Sequence, residues 1–470
     1  MRAKVFAVLG LAAMIVAATP VLADDTEMIG KIVFHGEVRL RGEFVDNFED
    51  WNSDSLADDS FDFFPYRARV GVGGEFANNV HGYVELQSAN AMGNELEQRN
   101  VLFSNDSDID LYLATIVAKQ IGGSSTDLTF GRQELRFDHE FLLGDLDFYN
   151  GISLDGVRAT WNFESGPLDA FWFRTNETFE DDADTDFLGA HYTWDDVIDN
   201  GDIGVYGYYL RMDTVSGTGR EDLFTLGGRI GRVREGESGM VWNAELAYQV
   251  GTLGNVGVAG DDADVSALGF EGWFGYNWNT GDSDHTLQGK VYYGSGDDDD
   301  TDDEANGFNT LFQDFHDSTN RLGVADVVAG SNVMAISLGY NFEHGAHSVL
   351  VEVFDFATAE AGQDSHLNVA PTQVGFSAFG LPGTFDGVAI TSGDPDGAGP
   401  LDANTEDSIG QELDVVYNFD YTDNLSFGAG LGYFMPGQAI EDGTDPDGAG
   451  PLAGFDDAAM RLYGQARLRW

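Results

Sequence analysis

Charged and apolar side chains alternate through most of this chain, and that alternation limits the possible folds more than any other feature. In residues 31–44, KIVFHGEVRLRGEF, Leu40 and Phe44 share one phase with other apolar residues, whereas Arg39 and Arg41 share the opposite phase. A period of two is that of a β-strand with one apolar face. Because the other face carries full charges in mid-strand, the sequence predicts a sheet that separates an apolar medium from a polar one.

The N-terminus indicates export. Arg2 and Lys4 precede an apolar run at residues 5–18, and Ala23 offers the small residue that a signal peptidase needs. We therefore predict a signal peptide at 1–23, cleaved after Ala23, and one mature domain at 24–470. An N-terminal membrane anchor is the alternative, but the apolar run is shorter than a spanning helix requires. The chain has no cysteine that could be trapped as a disulfide after export.

Alternating segments recur about 18 times, and the gaps between them alternate in length. Short gaps such as ANN, ESGP and EHGA follow even-numbered segments, whereas long ones, above all 294–332, 357–407 and 435–458, follow odd-numbered segments. This rhythm predicts an all-β protein: a single transmembrane β-barrel of about 18 antiparallel strands, with short periplasmic turns and long acidic extracellular loops. A soluble sandwich or propeller would not sort its loops in this way.

The chain ends on a tryptophan, directly after the alternating segment AMRLYGQARLR. In a bilayer every strand edge must pair, so we expect this last segment to close the barrel against the first one, at residues 31–44. A C-terminal aromatic residue also resembles the signal by which outer-membrane barrels are recognised for insertion. Trp470 is thus expected at the closing seam of the barrel.

Acidic residues dominate the composition, with 81 Asp and Glu against 23 Lys and Arg and a formal net charge of −58. Such a chain would be repelled by nucleic acid, which excludes that class of partner. It is compatible with a saline medium or with divalent cations. The expected surroundings are instead outer-membrane lipid on one face of the wall and a solute on the other.

The basic residues are few and concentrated. Arginine outnumbers lysine by 19 to 4, a bias expected where planar, bidentate donors bind carboxylates. Nearly all lie on predicted strands 1 to 10 and 18, which form one continuous arc once strand 18 closes on strand 1. The candidate lumenal, substrate-binding residues are Arg39, Arg41, Arg67, Arg69, Arg132, Arg136, Arg158, Arg174, Arg211, Arg229 and Arg461. Predicted strands 11 to 17 offer the lumen an opposing set of acids: Glu245, Glu271, Glu352, Glu412 and Asp414.

The arginines allow two interpretations. They could form a track that replaces water around a carboxylated solute, as charged rings do in other pores. They could equally pair with wall acids and brace the barrel; the acids available are Glu37, Glu43, Glu75, Glu85 and Glu134. The bias toward arginine favours solute contact, because lysine would serve bracing as well.

Two motifs resemble a known family. FGRQELRF at 130–137, followed by LLGDLDFYNGISLDGVRATW at 142–161, is similar to the G-R-Q-x-L segment, rim loop and D-G-V-R strand of the alginate export family of outer-membrane proteins. That resemblance implies an 18-stranded, monomeric barrel with an arginine-rich lumen that passes a polyuronate.

The leading functional hypothesis is a passive outer-membrane channel for an anionic, carboxylate-bearing saccharide. The first alternative is a general or differently selective porin in which the arginine arc only sets a transverse field, and the second is a surface protein anchored by its barrel. The sequence contains no Gly-x-Ser-x-Gly elbow, no His-Glu-x-x-His pair and no cysteine nucleophile, so we expect no enzymatic activity and no organic cofactor.

The repeated octapeptide DPDGAGPL is a candidate calcium site. It places Asp394 and Asp396 in one copy and Asp445 and Asp447 in the other, and hard carboxylate oxygens suit calcium. Neither copy has the third acid and distant glutamate of an EF-hand. The alternative is a solvated acidic rim without a bound ion.

If these aspartates bind calcium, chelation should lower the thermal stability or loop order of the protein, and added calcium should restore it. Limited proteolysis with and without a chelator measures this. Unchanged cleavage of the loops would leave the solvated rim as the correct account.

Overall fold

The computed structural model describes residues 32–47, 60–92, 109–176, 184–198, 200–213, 220–232, 238–253, 262–297, 303–316, 321–360, 407–441 and 457–470. The predicted signal peptide and its cleavage after Ala23 lie outside these residues. So do both candidate calcium pairs, Asp394 with Asp396 and Asp445 with Asp447.

Eighteen antiparallel strands close into one barrel, as the alternation predicted. Each strand pairs with its neighbours in sequence, and the last pairs with the first. The strands are β1 Val33–Asp46, β2 Pro65–Ala77, β3 Val80–Ala91, β4 Asp110–Ala118, β5 Thr126–Gln133, β6 Leu154–Phe163, β7 Gly166–Asn176, β8 Thr185–Ile198, β9 Gly201–Asp213, β10 Arg220–Arg232, β11 Gly239–Leu253, β12 Ala263–Thr280, β13 Ser283–Gly294, β14 Val333–His344, β15 His347–Ala357, β16 Ser408–Asp420, β17 Leu425–Pro436 and β18 Ala459–Arg469.

Short elements supplement this wall. A strand at Phe61–Phe63 pairs with β1, and a two-residue strand at Glu304–Ala305 pairs in parallel with β12. The helical turns of the described chain are Ile121–Gly123 and Gln438–Glu441. No helix among the described residues is both long and apolar enough to cross a membrane.

The seam between β1 and β18 explains the terminal tryptophan. The two strands pair from Glu37 opposite Arg469 to Asp46 opposite Met460. Beyond that ladder the backbones of Gly36 and Trp470 exchange two hydrogen bonds, of 3.0 and 3.1 Å between N and O. A Cβ at position 36 would collide with the indole ring, so glycine there is what lets the terminal ring lie flat on the seam.

Side chains sort to the two faces of the wall as the period of two requires. On β1, Leu40 is 45% exposed on the outer surface, whereas Arg39 and Arg41 are 7% and 5% exposed toward the inside. Outward apolar side chains of this kind meet lipid in a membrane barrel. Connections also alternate, with two-residue turns such as 78–79 and 164–165 at one end and long connections at the other.

Two of the long connections fold into the barrel. The first inward segment, residues 134–153, links β5 to β6; the second inward segment, as described at residues 303–316 and 321–332, belongs to the connection between β13 and β14. They meet at a parallel bridge between Leu143 and Phe312, where Gly144 N donates to Phe312 O at 2.8 Å and Phe312 N donates to Leu142 O at 2.9 Å. The barrel interior is therefore occupied by protein at this level, which the sequence analysis did not predict.

Apolar side chains of the two segments pack against lumenal aromatic residues of the wall. Phe141, Leu143 and Phe312 are at most 3% exposed, and Phe312 contacts the ring of Phe187 on β8 at 5.1 Å between centroids. Burying side chains of this size removes enough apolar surface from water to stabilise each by about 1.5–3 kcal/mol. The segments are thus held as part of a core inside the barrel.

Three carboxyl groups converge where the inward segments meet. Glu140 and Asp145 come from the first segment and Asp314 from the second, and all are buried. Burial and the neighbouring charge of Asp147 raise the pKa of Asp145 to about 7, against the opposing effect of Arg136 at 3.1 Å. Burial likewise raises the pKa of the Asp314 carboxyl. Low pH therefore favours this junction, because protonation removes repulsion among the three groups.

The junction should loosen as pH rises. The pKa of Asp145 is higher in the folded protein than in an unfolded chain. The contribution of this carboxyl group to the free energy of unfolding is therefore fully present below about pH 4 and is lost by about pH 7. We expect the amides of Gly144 and Phe312 to exchange at least about tenfold faster at pH 8 than at pH 5, after correction for the intrinsic rate. Hydrogen exchange with mass spectrometry measures this.

The variant Asp145→Asn should abolish most of that dependence, whereas Asp155→Asn, an outward-facing change on β6, should leave it intact. Equal corrected protection of the two amides at both pH values in the unmodified protein would contradict the argument.

Candidate functional site

A contiguous group of arginines lies on the inner face of the wall where β1, β2 and β18 meet. We call it the arginine arc; its members are Arg39, Arg41, Arg67, Arg69, Arg461 and Arg467. Their sequence neighbours Leu40 and Val70 are 45% and 57% exposed on the outer face, which fixes the arc on the inner face. Arg67 and Arg461 are fully buried. Closure of β18 on β1 brings together residues nearly the whole chain apart.

The arginine arc holds one strip of the first inward segment, residues 147–150. Arg39 Nη1 donates to Asp147 O at 3.2 Å, and its Nη2 donates to Tyr149 O at 2.9 Å and also to Phe148 O. Arg69 Nη2 donates to Asn150 O at 2.9 Å. Four consecutive carbonyl oxygens of this strip therefore point at guanidinium groups.

The Asp147 side chain is the strip's charged contact. Its carboxylate binds Arg67, Arg69 at 2.9 Å and Arg467 at 3.4 Å. Burial alone would raise the pKa of this carboxyl, but the guanidinium groups of Arg67 and Arg69 outweigh burial and hold the pKa well below its usual range. Asp147 is therefore ionised at any physiological pH.

Two glutamates of β1 also pair with the arginine arc. Glu37 accepts from Arg67 at 2.6 Å and from Arg467 at 2.5 Å. Glu43 accepts from Arg41 at 2.5 Å and from Arg461 at 2.7 Å. The proposed bracing by wall acids is thus present for these two residues, and Glu85 also lies 3.8 Å from Arg69 Nε.

Arg461 joins the two inward segments to the seam. It donates to the hydroxyl of Tyr149 in the first segment at 2.7 Å, and it pairs with Asp326 of the second. The ring of Phe148 also lies 4.3 Å from the guanidinium carbon of Arg41. One strand of the wall therefore fixes both segments through a single buried guanidinium.

The acids of the opposite wall bind the second inward segment. Glu412 and Asp414 accept from the backbone amides of Ala325 at 2.7 Å and Val324 at 3.0 Å, and Glu271 pairs with Arg321. The other two opposing acids, Glu352 and Glu245, bind wall residues, with Lys290 at 3.0 Å from the first and the hydroxyl of Tyr206 at 2.9 Å from the second. The predicted acidic arc is thus lumenal, and three of its five members hold a loop.

Three of the candidate arginines face outward, which corrects the predicted lumenal position. The strand register aligns these three arginines in one row across β5 to β10, in which each arginine is paired with acids of the neighbouring strands. The residues of the row, in order, are Arg132, Asp155, Arg174, Asp186, Arg211 and Asp222. The inward phase is taken by the buried Phe173 and Leu210. Sequence parity failed here because the inward face of these strands carries apolar residues that pack in the core inside the barrel, so both faces of a strand look apolar in the sequence.

The remaining candidates are inside but away from the arginine arc. Arg136 belongs to the first inward segment, not to the wall, and pairs with Glu140. Arg158 on β6 pairs with Asp169 at 2.7 Å. Arg229 on β10 lies near the short-turn end, where it binds Asp138 of the first segment at 3.1 Å. These three residues brace the segment or the wall.

His139, at the tip of the first inward segment, lies among charged side chains of the wall and of the second inward segment. His139 lies beside Arg229, with 3.3 Å between the nitrogens, and burial together with the charges of Arg229 and Arg321 lowers the pKa of this imidazole to about 4. His139 is therefore neutral at pH 7. Phe137 stacks on the ring of His191 at 4.3 Å, which fixes the tip to β8.

Sequence reasoning missed Asp147, Tyr149 and Asp326, the loop residues that the arginine arc binds. A signal existed in the run FLLGDLDFY at residues 141–149. Five large apolar residues in a connection nominally exposed to water indicate that the connection is buried. The alternation of inward and outward side chains could not show this burial, because that rule applies only to strands.

Among the described residues one group has the spacing for a metal ion. The carboxylate oxygens of Glu140, Asp145 and Asp314 lie within 4.8 Å of one another. Arg136 already supplies a positive charge to two of them. Hard oxygen donors of this kind would suit a divalent cation.

Comparison with known proteins agrees with the fold. The family model described as alginate export matches residues 31–449. No curated protein matches the chain. Similar solved structures are the outer-membrane porins OccAB1 and OccAB4 of Acinetobacter baumannii. OccAB1 has a TM-score of 0.55 at 11% identity, with 95% of this chain and 99% of that chain covered. OccAB4 has a TM-score of 0.54 at 8% identity, with 95% and 100% covered.

A further similar structure is that of OccK2 of Pseudomonas aeruginosa in complex with glucuronate. Its TM-score is 0.50 at 11% identity, with 93% of this chain and 96% of that chain covered. At such identities the likeness shows the fold alone. The family match spans most of the chain, however, and it carries the assignment. The chain therefore belongs to the alginate export family and is an integral channel protein of the outer membrane, not an enzyme.

Proposed function

We propose that this channel passes an anionic, carboxylate-bearing saccharide, a polyuronate or its oligomers, along the arginine arc. The observation that carries the proposal is the set of contacts the arc makes. Its described partners include carboxylates and neutral oxygen acceptors: the carboxylates of Glu37, Glu43, Asp147 and Asp326, the backbone oxygens of residues 147–150, the amide oxygens of Gln87 and Gln465, and the hydroxyl of Tyr149. A uronate chain presents the same chemistry, with carboxylates separated by hydroxyl and ring oxygens.

The guanidinium geometry supports carboxylate recognition over a diffuse field. Arg67 directs Nε and Nη2 at Glu37 from 2.8 and 2.6 Å, and directs its remaining donors at Asp147. An ammonium group would act as a point charge and could not share two carboxylates in this planar way. A surface that already solvates carboxylates in the absence of bulk water is suited to passing them.

Similarity supports the same class of solute. The matched family model is named for alginate export, and one structural neighbour was solved with glucuronate. We propose that this chain acts on a related solute as a monomer, in the passive manner of a pore.

The second candidate is a porin of different selectivity. It is favoured by the fact that the arginine arc and three of the opposing acids bind the inward segments, which is a bracing role. In that case the two arcs set a transverse field and shape the lumen without touching a specific solute.

The double variant Arg67→Gln and Arg69→Gln separates these functions. Glutamine keeps hydrogen-bonding capacity and removes charge, so anion permeability and block by an oligouronate should both fall severalfold. Single-channel recording in planar bilayers measures both. The matched control is Arg132→Gln with Arg174→Gln, which makes the same chemical change on the outer face.

Unchanged anion selectivity and unchanged oligouronate block in the lumenal double variant would show that the arginine arc only braces. Loss of selectivity in the outward control to the same degree would also contradict the proposal.

A further inference from the structure

We infer that Asp147 occupies a carboxylate-binding site that a uronate of the solute would take, so that the first inward segment and the solute compete for the same arginines. The inference rests on the proposed function, and it names both the contact point and the group that must leave it. In the absence of solute, the carboxylate of Asp147 then occupies the place that a solute carboxylate would take.

The site is built from three guanidinium groups on two strands. Oδ1 of Asp147 contacts Arg67 and lies 2.9 Å from Arg69 Nη2, while Oδ2 lies 3.1 Å from Arg67 Nη2 and 3.4 Å from Arg467 Nη2. The Asp147 side chain is 24% exposed, whereas Arg67 beneath it is fully buried. The cations therefore form the floor of the site and the carboxylate lies on top, on the side that a lumenal solute would approach.

The rest of the strip extends the likeness to a uronate chain. The carbonyl oxygens of Phe148, Tyr149 and Asn150 continue along Arg39 and Arg69. Yet the strip carries one negative charge, at Asp147, whereas a polyuronate carries one on every sugar. A carboxylate adds its own negative charge and can accept two parallel hydrogen bonds from one guanidinium, whereas a carbonyl oxygen is a neutral acceptor, so a solute carboxylate can outcompete a carbonyl at this surface.

A residue in the left-handed region flanks the strip at each end. Leu146, directly before it, has φ of 49°, and Gly151, directly after it, has φ of 75°. A bulky side chain in the left-handed region is strained, so the strip is held in place by its contacts and not by its backbone preference.

The remainder of the first segment has separate anchors. They are the Leu143–Phe312 bridge and the pair of Asp138 with Arg229 at 3.1 Å. Loss of the contacts between Asp147 and the arginine arc would therefore leave the segment anchored in the barrel.

The variant Asp147→Asn tests the competition. It removes the negative charge of the side chain and keeps its size, so residue 147 competes less well for the arginines. A galacturonate trimer should therefore block the channel at a concentration at least threefold lower than in the unmodified protein. Maltotriose, a neutral trimer, should show no such change. The matched control is Asp169→Asn on β7, which removes one lumenal carboxylate bound to Arg158 but frees no member of the arginine arc. An equal gain in both variants would mean a general change of lumenal charge and would overturn the inference.

A measurement on the unmodified protein avoids any effect of substitution on folding. On addition of the galacturonate trimer, hydrogen exchange should increase in a peptide spanning residues 146–151, because the strip is released, while the amides of Gly144 and Phe312 stay protected. Unchanged or decreased exchange in that peptide would also overturn the inference.

The outcomes separate the two proposals. If the trimer fails to block the unmodified protein, or blocks the Arg67→Gln, Arg69→Gln double variant equally well, the proposed function is wrong and the inference falls with it. If block is present and depends on those arginines, but Asp147→Asn behaves like Asp169→Asn, only the competition is wrong.

Discussion

An ion that faces the inside of this barrel is removed from bulk water, and it is stable only where a group of opposite polarity reaches it. Arg67 and Arg461 meet that requirement while fully buried, each through carboxylates from both the wall and an inward segment. Charge compensation therefore attaches the loops to the wall, in addition to the apolar packing of residues such as Phe312 against Phe187. The opposing acids act in the same way with reversed sign, since Glu412 and Asp414 accept amide donors of the second segment.

The same compensation bears on transport. Groups that hold a loop by hydrogen bonds to carboxylate and carbonyl oxygens can bind a solute with those oxygens, so bracing and recognition are not exclusive properties. What differs between them is occupancy, because a guanidinium already paired with Asp147 is not at the same time paired with a sugar. Selectivity in such a lumen depends on how easily a solute displaces Asp147 from the arginines.

Much of the fold could be predicted from local pattern. The inward orientation of Arg39 and Arg67 follows from the two-residue period of the flanking apolar residues, and the number of strands follows from counting such segments. The same rule failed for Arg174, because the inward face of its strand carries Phe171 and Phe173, which pack in the core inside the barrel, so both faces of that strand look apolar in the sequence. The contacts of Asp147 and Asp326 could not be predicted at all, since loop residues have no phase.

The sequence by itself determined the barrel, its seam at the terminal Trp470, and the concentration of arginine on one arc of wall. Each of these depends on periodicity or on the need to pair every strand edge in a bilayer, and both are local or topological constraints. Only the tertiary structure decided that two connections fold inward, meet at Leu143 and Phe312, and cover the arginines. That outcome depends on contacts between residues far apart in the chain, whose favourable burial and charge pairing become available only after the wall has closed around them.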